Sequence, residues 1–131
     1  MERTCYAINE QMARAAKHLN SFSDYAAGST TTEYKKIVDW IYEVVERIKK
    51  EKPHLVEKAV NMVDRYSRKL AGYYNDYYRN EANCPSVMIP GPANFPVRKK
   101  EKQNRRREKQ MKDWEYLQSF AGKIEHLLTM E

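Results

Sequence analysis

The sequence predicts an all-α protein, a small helical bundle with a long proline-rich crossover loop before a long C-terminal helix. Three observations support this fold class. Glycine is scarce, with 4 in 131 residues, whereas helix-favouring Glu, Lys, Arg, Ala and Leu are plentiful. Apolar residues recur at steps of three and four residues in four segments. Four of the 5 prolines fall between Pro85 and Pro96, which leaves the rest of the chain free to be helical. A chain of this length forms a single domain, residues 1–131.

The first helix is predicted from about Thr4 to Leu19, because apolar side chains recur there at helical spacing. They are Ile8, Met12, Ala15, Ala16 and Leu19. A connector rich in capping residues follows over 20–29 and indicates a turn. We expect Phe22 and Tyr25 within it to pack back on the body of the protein.

The second helix has the most regular pattern in the chain. A hydroxyl from one of the threonines at 30–32 is predicted to cap its first turn, by accepting a hydrogen bond from an N–H group. Its apolar stripe consists of Tyr34, Ile37, Val38, Ile41, Val45 and Ile48. This stripe predicts one helical face buried in the core.

Pro53 is predicted to open the third helix, because its missing N–H group costs nothing at the first helical position. The helix should continue to about Asn80 and pack antiparallel on the second, since the connection is very short. Its apolar stripe consists of Leu55, Ala59, Met62, Tyr66, Leu70, Tyr73 and Tyr77.

Two further tyrosines, Tyr74 and Tyr78, lie about 100° around the third helix from that stripe. One interpretation makes them the edge of the core. The other makes them a surface that docks a partner or stacks on bases, because tyrosine is enriched at binding sites. The sequence leaves both interpretations open.

Prolines exclude helix between Asn83 and Pro96. Long loops in small domains are functional or serve as crossovers. We predict an ordered crossover in which Val87, Ile89 and Phe95 cover the core.

The last helix is predicted from about Pro96 to Thr129. Its second half has an apolar stripe of Trp114, Leu117, Ala121, Ile124 and Leu128. In its first half, Gln103 and Gln110 occupy the positions that would continue the stripe. A helix that is polar all round projects into solvent or has a partner other than the core.

The start of this last helix, about 98–112, holds most of the excess charge. The chain has a net charge of +6, and this segment has nine basic residues against two acids, +7, which leaves −1 for the rest. Five of the cations fall within an arc of about 80° and form what we call the cationic stripe. They are Arg98, Lys102, Arg105, Lys109 and Lys112. Lys99 and Arg106 lie beside them.

These seven residues are the candidate nucleic-acid-binding residues. A row of cations on one helical face suits a phosphate backbone, and the nearby acids are too few to neutralise it. The arginines add bidentate contacts to phosphate. The alternative is an ordinary solvated face, and no known nucleic-acid-binding motif is present.

The sequence has no pattern typical of catalysis. His18, His54 and His126 are scattered, and neither Cys5 nor Cys84 has a partner at metal-ligand spacing. Neither a phosphate-cradling glycine loop nor a nucleophile elbow is present. We therefore expect no enzyme activity, no cofactor and no metal.

The apolar pattern also bears on location. No run approaches the roughly 20 apolar residues that span a bilayer, and the N-terminus lacks a secretory apolar region. We therefore expect a protein without membrane association, in the cytoplasm of its host cell.

Two segments resemble sequences of known mobile genetic elements. The segment 21–25, SFSDY, and the segment 84–104, CPSVMIPGPANFPVRKKEKQN, resemble patterns in uncharacterised proteins of phages and conjugative elements of Gram-positive gut bacteria. The resemblance implies a mobile-element setting, and it supplies no activity.

Two functions from different classes are compatible with the sequence. The first is a non-enzymatic accessory protein whose basic helix binds DNA, RNA or a host nucleoprotein complex, including an inhibitor of host defence such as an anti-CRISPR protein. The second is a structural or scaffolding protein whose basic helix docks an acidic protein partner or a second copy of the chain.

Overall fold

The structure is a computed structural model that describes residues 2–20, 25–83 and 97–130. Four helices make up most of these ranges: α1 (Glu10–Asn20), α2 (Ser29–Glu51), α3 (Val56–Ala82) and α4 (Val97–His126). A 3-10 turn, Pro53–Leu55, precedes α3, and another, Leu127–Thr129, follows α4. The described ranges contain no strand, so the all-α prediction is confirmed.

The second and third helices pack against each other in antiparallel directions. Only Lys52 separates α2 from the turn that opens α3. The Tyr34 hydroxyl, early in α2, donates to the Ser67 carbonyl oxygen, near the middle of α3, at 2.8 Å. The Tyr74 hydroxyl, in the second half of α3, donates to the Glu33 carboxylate, also early in α2, at 3.3 Å. Val38, Ile41, Val45 and Ile48 are fully buried, as the spacing in α2 predicted.

The fourth helix also packs antiparallel on α3, on a different side of α3 from α2. The Tyr66 and Phe120 rings lie 5.9 Å apart, and those of Tyr73 and Trp114 lie 5.2 Å apart. In the second half of α4, the predicted stripe is buried or half-buried against the core. Since α3 contacts α1, α2 and α4, it is the central helix of the described fold.

The first helix starts later than the sequence predicted, at Glu10 and not at Thr4. Asn9 caps it, because its side-chain oxygen accepts a hydrogen bond from the Met12 N–H at 3.0 Å. The side-chain amide of Asn75 on α3 also accepts from the Asn9 N–H at 2.7 Å. These two contacts fix the place where the helix begins.

The residues before α1 form a non-helical strap across α2 and α3. The Thr4 N–H donates to the Tyr42 hydroxyl at 2.9 Å, and the Tyr6 N–H donates to the Tyr34 hydroxyl at 3.0 Å. The N–H groups of the strap therefore bond to side chains of other elements, where a helix would have used its own carbonyl groups. The helical prediction for 4–9 is wrong for this reason.

The N-terminus of α2 is also capped differently from the prediction. Gly28, with a φ of 76°, takes the cap position and makes no side-chain cap bond. The first N–H groups of α2 donate to residues outside the helix. The Thr30 N–H donates to the Tyr25 hydroxyl at 3.2 Å, and the Thr31 N–H donates to the Glu10 carboxylate at 3.3 Å. The Tyr25 hydroxyl and the Glu10 carboxylate thus accept the hydrogen bonds that a threonine hydroxyl was predicted to accept. The prediction that Tyr25 packs back on the body of the protein is confirmed.

Two loop predictions fall outside the described ranges. They are the packing of Phe22 and the ordered crossover built from Val87, Ile89 and Phe95. No described helix is long and apolar enough to cross a membrane.

Candidate nucleic-acid interface

The cationic stripe occupies one exposed face of α4. All five of its residues, Arg98, Lys102, Arg105, Lys109 and Lys112, are exposed. At a rise of 1.5 Å per residue, they extend over about 21 Å of the helix. Lys99 and Arg106 beside them are also exposed. The structure therefore brings together all seven candidates on the surface of one helix.

The opposite face of the same segment is buried, although it is polar. Gln103 is 1% exposed and Gln110 is 8% exposed. The side-chain amide of Gln103 donates to the Asn80 carbonyl oxygen at 2.9 Å, and the side-chain amide of Asn80 donates to the Gln103 carbonyl oxygen at 3.1 Å. The first half of α4 thus packs on the end of α3 through hydrogen bonds. The expectation that this half of α4 projects into solvent or has a partner other than the core is therefore wrong for the face of Gln103 and Gln110, which packs on α3. For the cationic face it stays a prediction.

Arg107 belongs to the basic segment but not to the cationic stripe. Its guanidinium forms an ion pair with the Glu81 carboxylate on α3, with 2.9 Å between Nε and Oε1. The Glu81 side chain is only 12% exposed, so this pair is better shielded from solvent than the surface pairs. One of the nine cations therefore holds α4 on α3.

Acidic side chains neutralise little of the cationic stripe. Lys109 pairs with Asp113 one turn later, with 3.1 Å between Nζ and Oδ2, in an exposed geometry that contributes little stability. The other four cations form no ion pair with any residue in the described ranges. The stripe is therefore a row of solvated charges that an anionic ligand can reach.

The two candidate docking tyrosines lie in different environments. Tyr74 is 6% exposed, and its hydroxyl donates to the Glu33 carboxylate at 3.3 Å, so its ring is not available to a partner. Because α3 has neighbours on several sides, its buried arc is wider than one apolar stripe. Tyr78 is half-buried and packs edge-on against Tyr77, with 5.1 Å between the ring centroids. The core-edge interpretation fits this pair better than a docking surface.

Tyr78 also lines a cleft of about 710 Å³ between α1, the start of α2, α3 and α4. Its charged walls carry Lys17, Lys100 and Arg107 together with Glu33 and Glu81. Since both signs of charge meet there, the cleft has no clear preference for an anion or a cation.

The residues that could perform catalysis are dispersed. His18, His54 and His126 are exposed on three different elements. Within the described ranges, no group of three or more His, Cys, Asp or Glu could hold a metal ion. Burial raises the pKa of Tyr34 to about 12 and also raises the pKa of Tyr74, so both phenols keep their protons to a higher pH than an exposed tyrosine does. Both act in packing and hydrogen bonding.

The sequence reasoning missed one residue on the face of the cationic stripe. Tyr116 lies four residues after Lys112 and seven after Lys109, so it continues the same line along α4. It is 51% exposed. The helical spacing alone places Tyr116 on this face, but a single aromatic residue belongs neither to a row of cations nor to an apolar stripe.

A comparison of the chain with known proteins finds no matching family model, no similar curated protein and no similar solved structure.

Proposed function

We propose that this chain is a non-enzymatic protein that binds DNA or RNA through the cationic stripe of α4. The observation that supports the proposal most is the arrangement of its five exposed cations, of which only Lys109 forms an ion pair with a described residue. Such a row attracts a phosphate backbone and gains affinity by releasing the counterions condensed on it.

The length of the cationic stripe fits a short stretch of nucleic acid. Its extent of about 21 Å corresponds to about six nucleotides of one B-form strand, at about 3.4 Å per nucleotide. The burial of Gln103 and Gln110 favours a fixed orientation of the helix, so the cations keep their alignment before binding. Phosphate contacts position a protein without reading bases, and we therefore expect little sequence preference.

The resemblance to phage and conjugative-element proteins supports a narrower form of the proposal. In this form the chain acts in the bacterial cytoplasm, and its target is nucleic acid held by a host nucleoprotein complex. A CRISPR effector is one such complex, and it holds nucleic acid in positively charged channels. A cationic protein would then contact the nucleic acid or an acidic patch of the effector, and would avoid the channel wall.

The proposal is tested by fluorescence anisotropy with labelled DNA and RNA of 20 nucleotides, single-stranded and duplex, between about 50 and 200 mM salt. Five phosphate contacts on duplex DNA give a slope of log affinity against log salt concentration of about −4.5. If the protein binds none of these ligands at about 50 mM salt, the proposal is wrong.

A scaffolding role is the second candidate, in which the cationic stripe docks an acidic protein or a second copy of the chain. One observation favours a protein partner. A groove of about 530 Å³ between α2 and α4 is lined by Trp40, Ile37 and Trp114, and Trp40 is 48% exposed. Exposed aromatic side chains are typical of protein interfaces. Sedimentation velocity at about 100 μM protein tests self-association, and a single monomer peak would exclude the second copy as the partner.

A further inference from the structure

The face of α4 that carries the cationic stripe also carries an exposed aromatic ring. Tyr116 lies one turn beyond Lys112 and two turns beyond Lys109 on a continuous helix. About half of its side chain, 51%, is accessible to solvent. A ligand that follows the cations toward the C-terminus of α4 therefore meets an aromatic ring next.

The ring of Tyr116 packs against the core of the protein. The buried ring of Phe120 meets it at 6.1 Å between centroids and an interplanar angle of 67°, and Phe120 in turn packs on Tyr66 of α3 at 5.9 Å. Edge-to-face contacts of this kind are favourable for aromatic pairs. The core thus limits the orientations open to Tyr116, although its outer part is exposed.

A cation from α3 also reaches this ring. The Lys69 ammonium nitrogen lies 5.7 Å from the centroid of Tyr116, within the range of a cation–π contact. Lys69 is exposed and forms no ion pair with a described residue. The ammonium group therefore lies over a face of the ring, and a base that stacks on that face would displace it toward the phosphates of the same strand.

We propose that Tyr116 stacks on a nucleobase, so that the chain prefers single-stranded nucleic acid to duplex. This inference rests on the proposed function and specifies its ligand. Cations attract both forms, but only a single strand has base faces that are free to stack on a side chain, since in a duplex they stack on one another. A row of cations that leads to an aromatic platform is the combination found in sequence-tolerant single-strand binding.

The test compares the affinities of Tyr116→Ala and wild-type protein for labelled 20-nucleotide oligothymidine and for a labelled 20-base-pair DNA duplex. Loss of one stacked base should weaken single-strand binding by about 5- to 150-fold. Duplex binding should change by less than about twofold, because the variant keeps every cation. Tyr116→Phe, which keeps the ring, should bind the single strand like wild type.

The matched control is Trp40→Ala, which removes another exposed aromatic side chain, on α2, and should leave both affinities unchanged. If circular dichroism shows that Tyr116→Ala is unfolded, Tyr116→Leu removes the aromatic face with a smaller loss of volume and is measured in its place.

Two outcomes overturn the inference and leave the proposed function standing: wild-type protein binds duplex as tightly as oligothymidine, or Tyr116→Ala leaves the ratio of the two affinities unchanged. An equal loss in Tyr116→Phe and Tyr116→Ala would assign the effect to the hydroxyl, which also overturns stacking. Absence of binding to either ligand would instead show that the proposed function itself is wrong.

Discussion

Asn80 and Gln103 form a reciprocal pair at the junction of α3 and α4, in which each side-chain amide donates to the carbonyl oxygen of the other residue. Both residues are at least 98% buried. Asn80 lies in the last turn of α3, where carbonyl groups lack partners within the helix. Gln103 lies about 140° around α4 from Arg98. The pair therefore ties the end of one helix to the next and turns the cationic stripe toward solvent.

Gln103→Ala should destabilise the protein by about 1–3 kcal/mol. The substitution removes two hydrogen bonds, the one from the Gln103 side-chain amide to the Asn80 carbonyl oxygen and the one that the Gln103 side-chain oxygen accepts from the Lys100 ammonium. Of its bonds to described residues, the Asn80 carbonyl oxygen keeps only that from the Asn83 N–H, and each lost bond contributes roughly 0.5–1.5 kcal/mol. Urea denaturation followed by circular dichroism measures the change in the free energy of unfolding.

Gln118→Ala is the matched control on the same helix, because Gln118 is exposed. Its effect should stay within about 0.5 kcal/mol, as is usual for surface substitutions. Equal effects of the two substitutions would mean that the contact between Asn80 and Gln103 contributes nothing specific to stability.

Ile41→Ala should destabilise the protein by roughly 2–5 kcal/mol, since Ile41 is fully buried and the substitution leaves a cavity. Glu43→Ala, two residues along the same helix, changes an exposed position and should have little effect. A loss under about 0.5 kcal/mol for Ile41→Ala would mean that this face of α2 does not form the core.

The helix α2 shows what the sequence could predict. Its apolar positions, from Tyr34 to Ile48, follow the helical period over about four turns, and the face they define is the buried one. The start of α1 shows what it could not. Residues 4–9 have a composition that suits a helix, but their N–H groups bond to Tyr42, Tyr34 and Asn75, which lie at least 28 residues away. Local periodicity contains no information on such partners.

The sequence likewise predicted one part of the candidate site and missed another. The spacing of five cations predicted one exposed face of α4, and the structure has that face. The same reasoning equated a buried face with apolar residues and so missed the burial of Gln103 and Gln110. Gln103 can be buried because its side-chain amide donates to the Asn80 carbonyl oxygen, contributed by the preceding helix, and its side-chain oxygen accepts from the Lys100 ammonium.

Stability should fall as the pH rises from about 10 to about 12. Burial raises the pKa of Tyr34 to about 12, whereas a tyrosine in the unfolded chain ionises near 10. The unfolded state therefore loses the proton first, so the stabilisation is complete below about pH 10 and is lost as the pH approaches the folded-state value. Burial shifts the pKa of Tyr74 in the same direction, with the Glu33 charge adding to the effect.

Urea denaturation at pH 9, 10 and 11 measures this decline. Tyr34→Phe lowers stability at pH 9, because the hydroxyl no longer donates to the Ser67 carbonyl oxygen. It should also make the decline with pH shallower, since one titrating group is gone. An equally steep decline in the variant would show that Tyr34 ionises normally in the folded state.

Reversal of three charges in the cationic stripe, Arg98→Glu, Arg105→Glu and Lys109→Glu, should abolish nucleic-acid binding and leave the fold intact. All three side chains are exposed, and only Lys109 forms an ion pair with a described residue, with Asp113. Loss of that surface pair should cost at most about 1 kcal/mol. Anisotropy with DNA and RNA measures binding, and circular dichroism confirms the helical content.

A matched control separates the position of the charges from their number. Lys35→Glu, Lys49→Glu and Lys50→Glu reverse three exposed charges on α2 and lower the net charge by the same amount, from +6 to 0. If the cationic stripe contacts the phosphates, this control should retain most of the affinity at about 50 mM salt, because only close contacts release condensed counterions. Equal losses in the two triple variants would show that net charge alone governs binding, and the stripe would lose its assigned role.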